Sequence, residues 1–200
     1  MKLKKYVLVL IKYIPFSSVK VQLYRTLFGY SIGNNVKIGK SIINCKNVAI
    51  GNDVFIADYN VFSCTALTIG NHTKIQSGNT FIGKSSFSIG EHSRIINHHY
   101  FDLYNTIHIG NHSWIAGRYS EFWTHGSLYT RLDTKDLSIS IGNYTYIGSN
   151  SLFAPGTHVD SRSLVALGSV VTKTFEEQDI IIAGNPASII KKDIYWRTHW

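Results

Sequence analysis

Hydrophobic positions along this chain recur with two periods. The longer marks an Ile-Gly pair followed by Asn or Glu, at Ile32, Ile50, Ile69, Ile89, Ile109 and Ile141, with gaps of 18, 19, 20, 20 and 32 residues. The shorter places a large apolar residue every six, most clearly at Ile141, Ile147, Phe153, Val159, Val165 and Val171. Ile32 is likewise followed by Ile38, Ile50 by Ile56 and Ile109 by Ile115, each with Gly or Ala next. Self-similarity at a short fixed period predicts a solenoid. Three six-residue faces make a coil of about 18, each face a short strand with its aliphatic residue inward. The small residue turns the corner, where glycine is permissive. One coil cannot bury its own core, so coils must stack, about 4.8 Å apart.

An aliphatic residue followed by a small one every six positions, over about residues 31–190, resembles the hexapeptide-repeat family. The resemblance implies an all-β solenoid, a left-handed parallel β-helix. Counting from Ile32 to Lys173 predicts about eight coils, a prism of about 38 Å. Gaps of 19 and 20 need a bulge of one or two residues per coil. The gap of 32 is one coil plus about 14 residues, which predicts a loop at about 120–138 that begins Glu121-Phe122-Trp123-Thr124-His125. Solenoids keep insertions on the surface, often on the binding side. The division expected is a basic helical cap over 1–30, the β-helix over 31–175 and a C-terminal extension over 176–200, read as a helical tail.

Composition changes the picture at one end. Of the net charge of +8, the first 30 residues supply Lys2, Lys4, Lys5, Lys12, Lys20 and Arg25 with no acid. Leu3, Val7, Leu10 and Ile14 fall on one helical face, Pro15 breaks it, and a second helix is expected over about Ser17 to Phe28. Two roles compete for these helices: a cap on the open end of the prism, and a basic amphipathic element on an anionic membrane surface. The apolar run is too short and too interrupted by lysine to span a bilayer. Nucleic acid is argued against, because the basic residues are confined to one end and none of the nucleic-acid signatures is present. Cys45 and Cys64 each precede an Ile-Gly by five residues, so they should stack in neighbouring coils as small buried residues. No cleavable signal pattern is seen, and the compartment expected is the cytosol, peripheral to its membrane if the helices dock there.

Nine histidines need sorting. His72, His92 and His112 share one corner position and read as a surface ladder. His158 sits at a corner and His199 in the tail. A carbonic-anhydrase-like branch of the superfamily holds zinc with two histidines five apart, whereas this chain has His108 and His112 four apart and His92 and His98 six apart. No metal is therefore expected. His125 differs, because it lies in the inserted loop. Trp114-Ile115-Ala116-Gly117-Arg118 through Trp123-Thr124-His125-Gly126 is similar to acyltransferases of bacterial polysaccharide gene clusters. The resemblance implies that His125 is the general base. An imidazole, ordinarily near pKa 6.5, can take a proton from an attacking hydroxyl or amine and return one to the leaving thiolate. Glu121 is a candidate to orient its ring, with Asp133, Asp136 or a backbone carbonyl as competitors. Asn97, His98 and His99 are candidate acceptor contacts, and Trp123 is either a platform for sugar or donor or an anchor for the loop.

The later coils resemble the family's C-terminal signature through Ile147-Gly148-Ser149-Asn150, Val165-Ala166-Leu167-Gly168-Ser169, Val170-Val171-Thr172-Lys173 and Ala183-Gly184-Asn185-Pro186-Ala187. The resemblance implies acetyl-CoA as co-substrate in a groove between subunits of a homotrimer. Ser149 and Leu167 would meet the pantetheine arm, Thr172 and Lys173 the nucleotide end, and Lys191 would be a second basic contact. Ser188 stands where another basic residue is usual. The function expected is acetyl transfer to a sugar hydroxyl of a bacterial surface polysaccharide or its precursor. N-acetylation of a nucleotide-linked amino sugar, serine acetylation (ranked low, because its helical domain is longer) and a non-enzymatic trimeric scaffold are the alternatives.

Overall fold

The computed structural model describes residues 2–126 and 136–196. Two helices, α1 (Lys2–Tyr13) and α2 (Ser17–Phe28), precede a parallel solenoid of three sheets. The first and third sheets each hold seven strands, so the prism has seven coils rather than eight. Bulged corners and the inserted loop absorb the residues that a strict period of 18 would have spent on another coil. The second sheet holds nine strands, because Ile181–Gly184 and Ala187–Lys191 extend it. Those two pair antiparallel, so the described part of the C-terminal extension is a hairpin and not the helical tail expected.

The hexad residues fill the prism as three vertical stacks. Ile141, Ile147, Phe153, Val159, Val165 and Val171 are all within 1% of complete burial. In the third sheet Phe62, Phe81, Phe101, Phe122 and Phe153 stack ring on ring, with centroids 4.5 to 4.7 Å apart. That spacing is the coil repeat, so in-register stacking puts identical rings in contact. Cys45 and Cys64 stack as expected, with Sγ atoms 3.0 Å apart.

Polar residues stack at the corners and explain the Asn after Ile-Gly. The side-chain oxygen of Asn52 accepts the N–H of Asn34, and Asn71, Asn111 and Asn143 repeat the bond to the coil before them. At the next position His72, His92, His112 and Tyr144 adopt positive φ and stack at 4.6 to 4.9 Å. This is the surface ladder their spacing predicts. The second corner carries a buried series: Ser41, Asn60, Asn79, His99 and Ser120 each accept the N–H of the equivalent residue one coil later. A buried N–H left without such a partner costs about 1–3 kcal/mol.

The basic helices close the first coil. Strand N–H groups donate to carbonyls of the next coil, as Gly33 does to Ile50 and Gly51 to Ile69. The first coil therefore presents strand carbonyls that the solenoid leaves unpaired. Arg25 donates to the carbonyls of Ile32 and Gly33, Lys20 to Gly39, Ser17 to Ile38, Tyr30 to Cys45, and Lys4 also to Cys45. A ring of acceptors needs donors, which accounts for Lys4, Lys20 and Arg25. The expected face of α1 is rotated: Leu8 and Ile11 are buried, Val7 and Ile14 flank them, and Leu10 points outward.

Candidate active site

His125 lies three residues beyond the third-sheet strand Glu121–Phe122, so the fifth coil's strand sets where the loop departs. Glu121 and Phe122 belong to the coil, and Trp123 still donates its N–H to Phe153 of the next coil at 3.0 Å, so the chain leaves the coil only after Trp123. One coil below runs Tyr100–Leu103, with Tyr100 beside Glu121 and Phe101 beside Phe122. Asp102 is the next residue of the lower strand, and Trp123 the next after Phe122.

The His125 Nδ1 lies 2.7 Å from Asp102 Oδ2, with the imidazole 49% exposed and the carboxylate 11% exposed. An ionised carboxylate only accepts, so Nδ1 carries the proton and Nε2 is left with its lone pair. Asp102 is itself held, because its Oδ2 accepts the Thr124 N–H at 3.0 Å and its backbone carbonyl accepts the Thr124 hydroxyl at 2.6 Å. Thr124 is buried and tied in turn to Asn105, whose N–H donates to Thr124 Oγ1 and whose amide donates to the Thr124 carbonyl. Trp123 meets His125 edge-on, with centroids 5.6 Å apart, and leans on Tyr100. Tyr104, with Lys84 Nζ 3.8 Å over its ring, stands 6.1 Å from the imidazole.

The expected orienting acid is therefore displaced. Glu121 Oε2 accepts the indole N–H of Trp123 at 2.9 Å, two residues along the same outer face of the strand. Asp136 accepts the N–H of Ser138, which lowers its carboxyl pKa, and Asp133 lies outside the described residues. Asp102 was missed, although it is the sole acid between Glu91 and Glu121. The stacking register, and not proximity in sequence, would have found it.

The candidate acceptor contacts separate from His125. His99 is 1% exposed, a rung of the second-corner series, and burial pushes its pKa down to about 4. Among the described residues its Nε2 has no hydrogen-bond partner at good geometry, and the nearby Gly117 backbone offsets the burial only in part. His99 is thus a corner element, not a surface contact as expected. His98 is exposed at the same corner with φ +56, its ring over Gly78, where a Cβ would collide with it. Asn97 Oδ1 accepts the Ser77 N–H at 3.0 Å.

The candidate donor contacts fall in three places. Ser149 and the exposed Leu167 continue the second corner upward. Gly117, at φ +65, sits so close to Ser149 that any Cβ there would strike its Oγ. Thr172 and Lys173 lie on the third corner, two coils above the His125 loop. Lys173, Phe175, Glu177 and Ile189 line an open groove there. Lys191 pairs with Ile181 in the hairpin on the second sheet, away from both corners. Within one protomer, Ser149, Leu167, Asn97 and His98 are separated from His125 by the width of the third face, roughly 13 Å for four extended residues.

No family model matches the chain. A Saccharomyces cerevisiae protein provisionally named an acetyltransferase, YJL218W, is 34% identical over 56 residues, and the match spans 28% of this chain and 28% of that relative. Among solved structures, the polysialic acid O-acetyltransferase OatWY aligns with a TM-score of 0.63 at 22% identity, over 83% of each chain. The polySia-specific acetyltransferase NeuO aligns with a TM-score of 0.56 at 21% identity, over 84% of this chain and 83% of that one. The N-acyltransferase AntD from Bacillus cereus, solved with dTDP-4-amino-4,6-dideoxyglucose and coenzyme A, aligns with a TM-score of 0.56 at 18% identity, over 90% of each chain. The likeness to these structures bears out the fold read from the repeat, a left-handed parallel β-helix.

Proposed function

We propose that the chain is an acetyltransferase that moves an acetyl group from acetyl-CoA to a hydroxyl of a polysaccharide sugar or its precursor. The observation that carries this reading is the 2.7 Å contact between Asp102 and a half-exposed His125. Nε2 takes the proton as the sugar oxygen attacks the thioester carbonyl. The C–S bond then breaks, and the leaving thiolate receives that proton from the imidazolium. Asp102 fixes the tautomer and stabilises the imidazolium, as a positioning residue. No covalent enzyme intermediate is needed.

The donor is read as lying between protomers. Ser149 and Leu167 on the second edge, and His125, Thr172 and Lys173 on the third, cannot all line one short groove of a single chain. In a homotrimer the second edge of one protomer would meet the third edge of its neighbour. A second reading, N-acetylation of a nucleotide-linked amino sugar, is favoured by the likeness to AntD. It uses the same base and donor.

The test is free-thiol release from acetyl-CoA with a panel of sugars, nucleotide sugars and amino sugars, comparing wild type with His125→Ala. Acceptor-dependent release that falls by about 100-fold or more supports the base. Turnover only with free amines would select the second reading. An undiminished rate in the variant would remove His125, and absence of coenzyme A binding would favour a non-enzymatic scaffold.

A further inference from the structure

The cap accounts for only part of the amino-terminal charge. Lys4, Lys20 and Arg25 are committed to carbonyls of the first coil. Lys5 and Lys12 are not needed there. Lys5 is exposed, and Lys12 lies against the rings of Tyr13 and Tyr59. The outward face of α1 is also wrong for a helix that only caps. Such a helix should turn polar residues to water. Here Tyr6, Leu10 and Tyr13 repeat at i, i+4 and i+7 and are 67%, 71% and 65% exposed, and Phe16 continues the stripe at 67%. Beside it a largely apolar groove runs between α1 and the third sheet, lined by Lys4, Lys5, Leu8, Val9, Ile42 and Val61.

We propose that this end of the prism docks on an anionic lipid surface, with the outer stripe of α1 in the headgroup–acyl boundary and Lys5 and Lys12 on the phosphates. Among the described residues no helix is long and apolar enough to cross a membrane, so α1 would lie in the plane of the interface. A basic apolar face with three aromatic side chains, Tyr6, Tyr13 and Phe16, matches that environment. Charge decides against a second copy as the occupant. The first 30 residues carry six cations and no acid, so two such faces would repel, whereas an anionic surface neutralises them. The proposal is independent of the acyl-transfer reading, and neither outcome of that test bears on it.

The test is co-sedimentation of the full chain with vesicles of phosphatidylcholine alone, or containing about 30 mol% phosphatidylglycerol. Binding is expected with the anionic vesicles and to be at least about 10-fold weaker with the neutral ones. Lys5→Gln with Lys12→Gln should lower the partition about 25-fold, at roughly fivefold per cation. Leu10→Asp should lower it by about 10-fold or more, with an unchanged melting temperature because the side chain is exposed. Sedimentation velocity without lipid runs on the same variants. Equal binding to both vesicle types, or none to either, overturns the proposal. A smaller assembly in Leu10→Asp would assign the face to contact between copies instead.

Discussion

His99 and His125 stand at the two ends of the same face of the solenoid, and their surroundings are opposite. His99 is a rung of a buried series. Its Nδ1 accepts the Ser120 N–H, its Nε2 finds no partner at good geometry among the described residues, and burial holds the ring neutral. His125 is half exposed, with Asp102 fixed on Nδ1. The difference lies in the corner and not in the residue. The second corner is closed by coil-to-coil hydrogen bonds, and a histidine there serves the stack. The third corner is opened by the inserted loop, which brings a strand carboxylate of one coil against a side chain leaving the next.

Catalysis should break the comparison most sharply. His125→Ala is expected to lower kcat by about 10²–10⁴-fold. Asp102→Asn keeps the shape but removes the charge that fixes the tautomer. It should lower kcat by roughly 10-fold or more with KM little changed. Steady-state kinetics on both variants checks this, and an Asp102→Asn enzyme at the wild-type rate would detach the acid from the base. His99→Asn should keep activity within about threefold, because Asn already serves this corner at Asn60 and Asn79.

Stability should reverse the order. The folded pKa of His99, about 4, lies below the ordinary value of 6.5. The unfolded chain therefore binds a proton that the folded one refuses. Stability is intact above pH 6.5 and declines as pH falls toward 4, by about 3 kcal/mol in all. His99→Asn should remove that part of the acid sensitivity, read as the change in urea midpoint between pH 7 and pH 4. A variant as acid-sensitive as wild type would show that other groups dominate. Gly117→Ala should be smaller, at about 1–3 kcal/mol, from a positive φ and a clash with Ser149. That is a fall in melting temperature of about 3–10 °C.

The fold was legible because in-register stacking writes one inward residue per face into the sequence. The inward residues from Ile32 to Val171 follow from the repeat alone, as does the corner ladder of His72, His92 and His112. The coil count and the C-terminal hairpin were not legible, since bulges and an antiparallel return carry no six-residue period. The site was half legible. The insertion drew attention to His125, but its partner lies 23 residues away on the coil below. Distance along a solenoid is measured in coils, and Glu121, four residues away, faces a different neighbour. His99 resembled a surface contact for the same reason: its burial depends on Asn79 below and Ser120 above.

Glu121 gives the smallest expected effect and tests that last point. Its carboxylate and the Trp123 indole share the outer face of the strand, 2.9 Å apart. Glutamine preserves an oxygen acceptor at that position, so Glu121→Gln should keep Trp123 in place and activity within about threefold of wild type. The charge is lost, however. If the carboxylate and not Asp102 oriented the imidazolium, the variant would fall as far as Asp102→Asn. Trp123→Phe separates the two roles of the pair. It removes the indole N–H while keeping an aromatic wall beside His125, and should also cost less than about tenfold. A double variant no worse than the poorer single one would show that Glu121 acts only through Trp123. A further loss beyond either would return Glu121 to the chemistry.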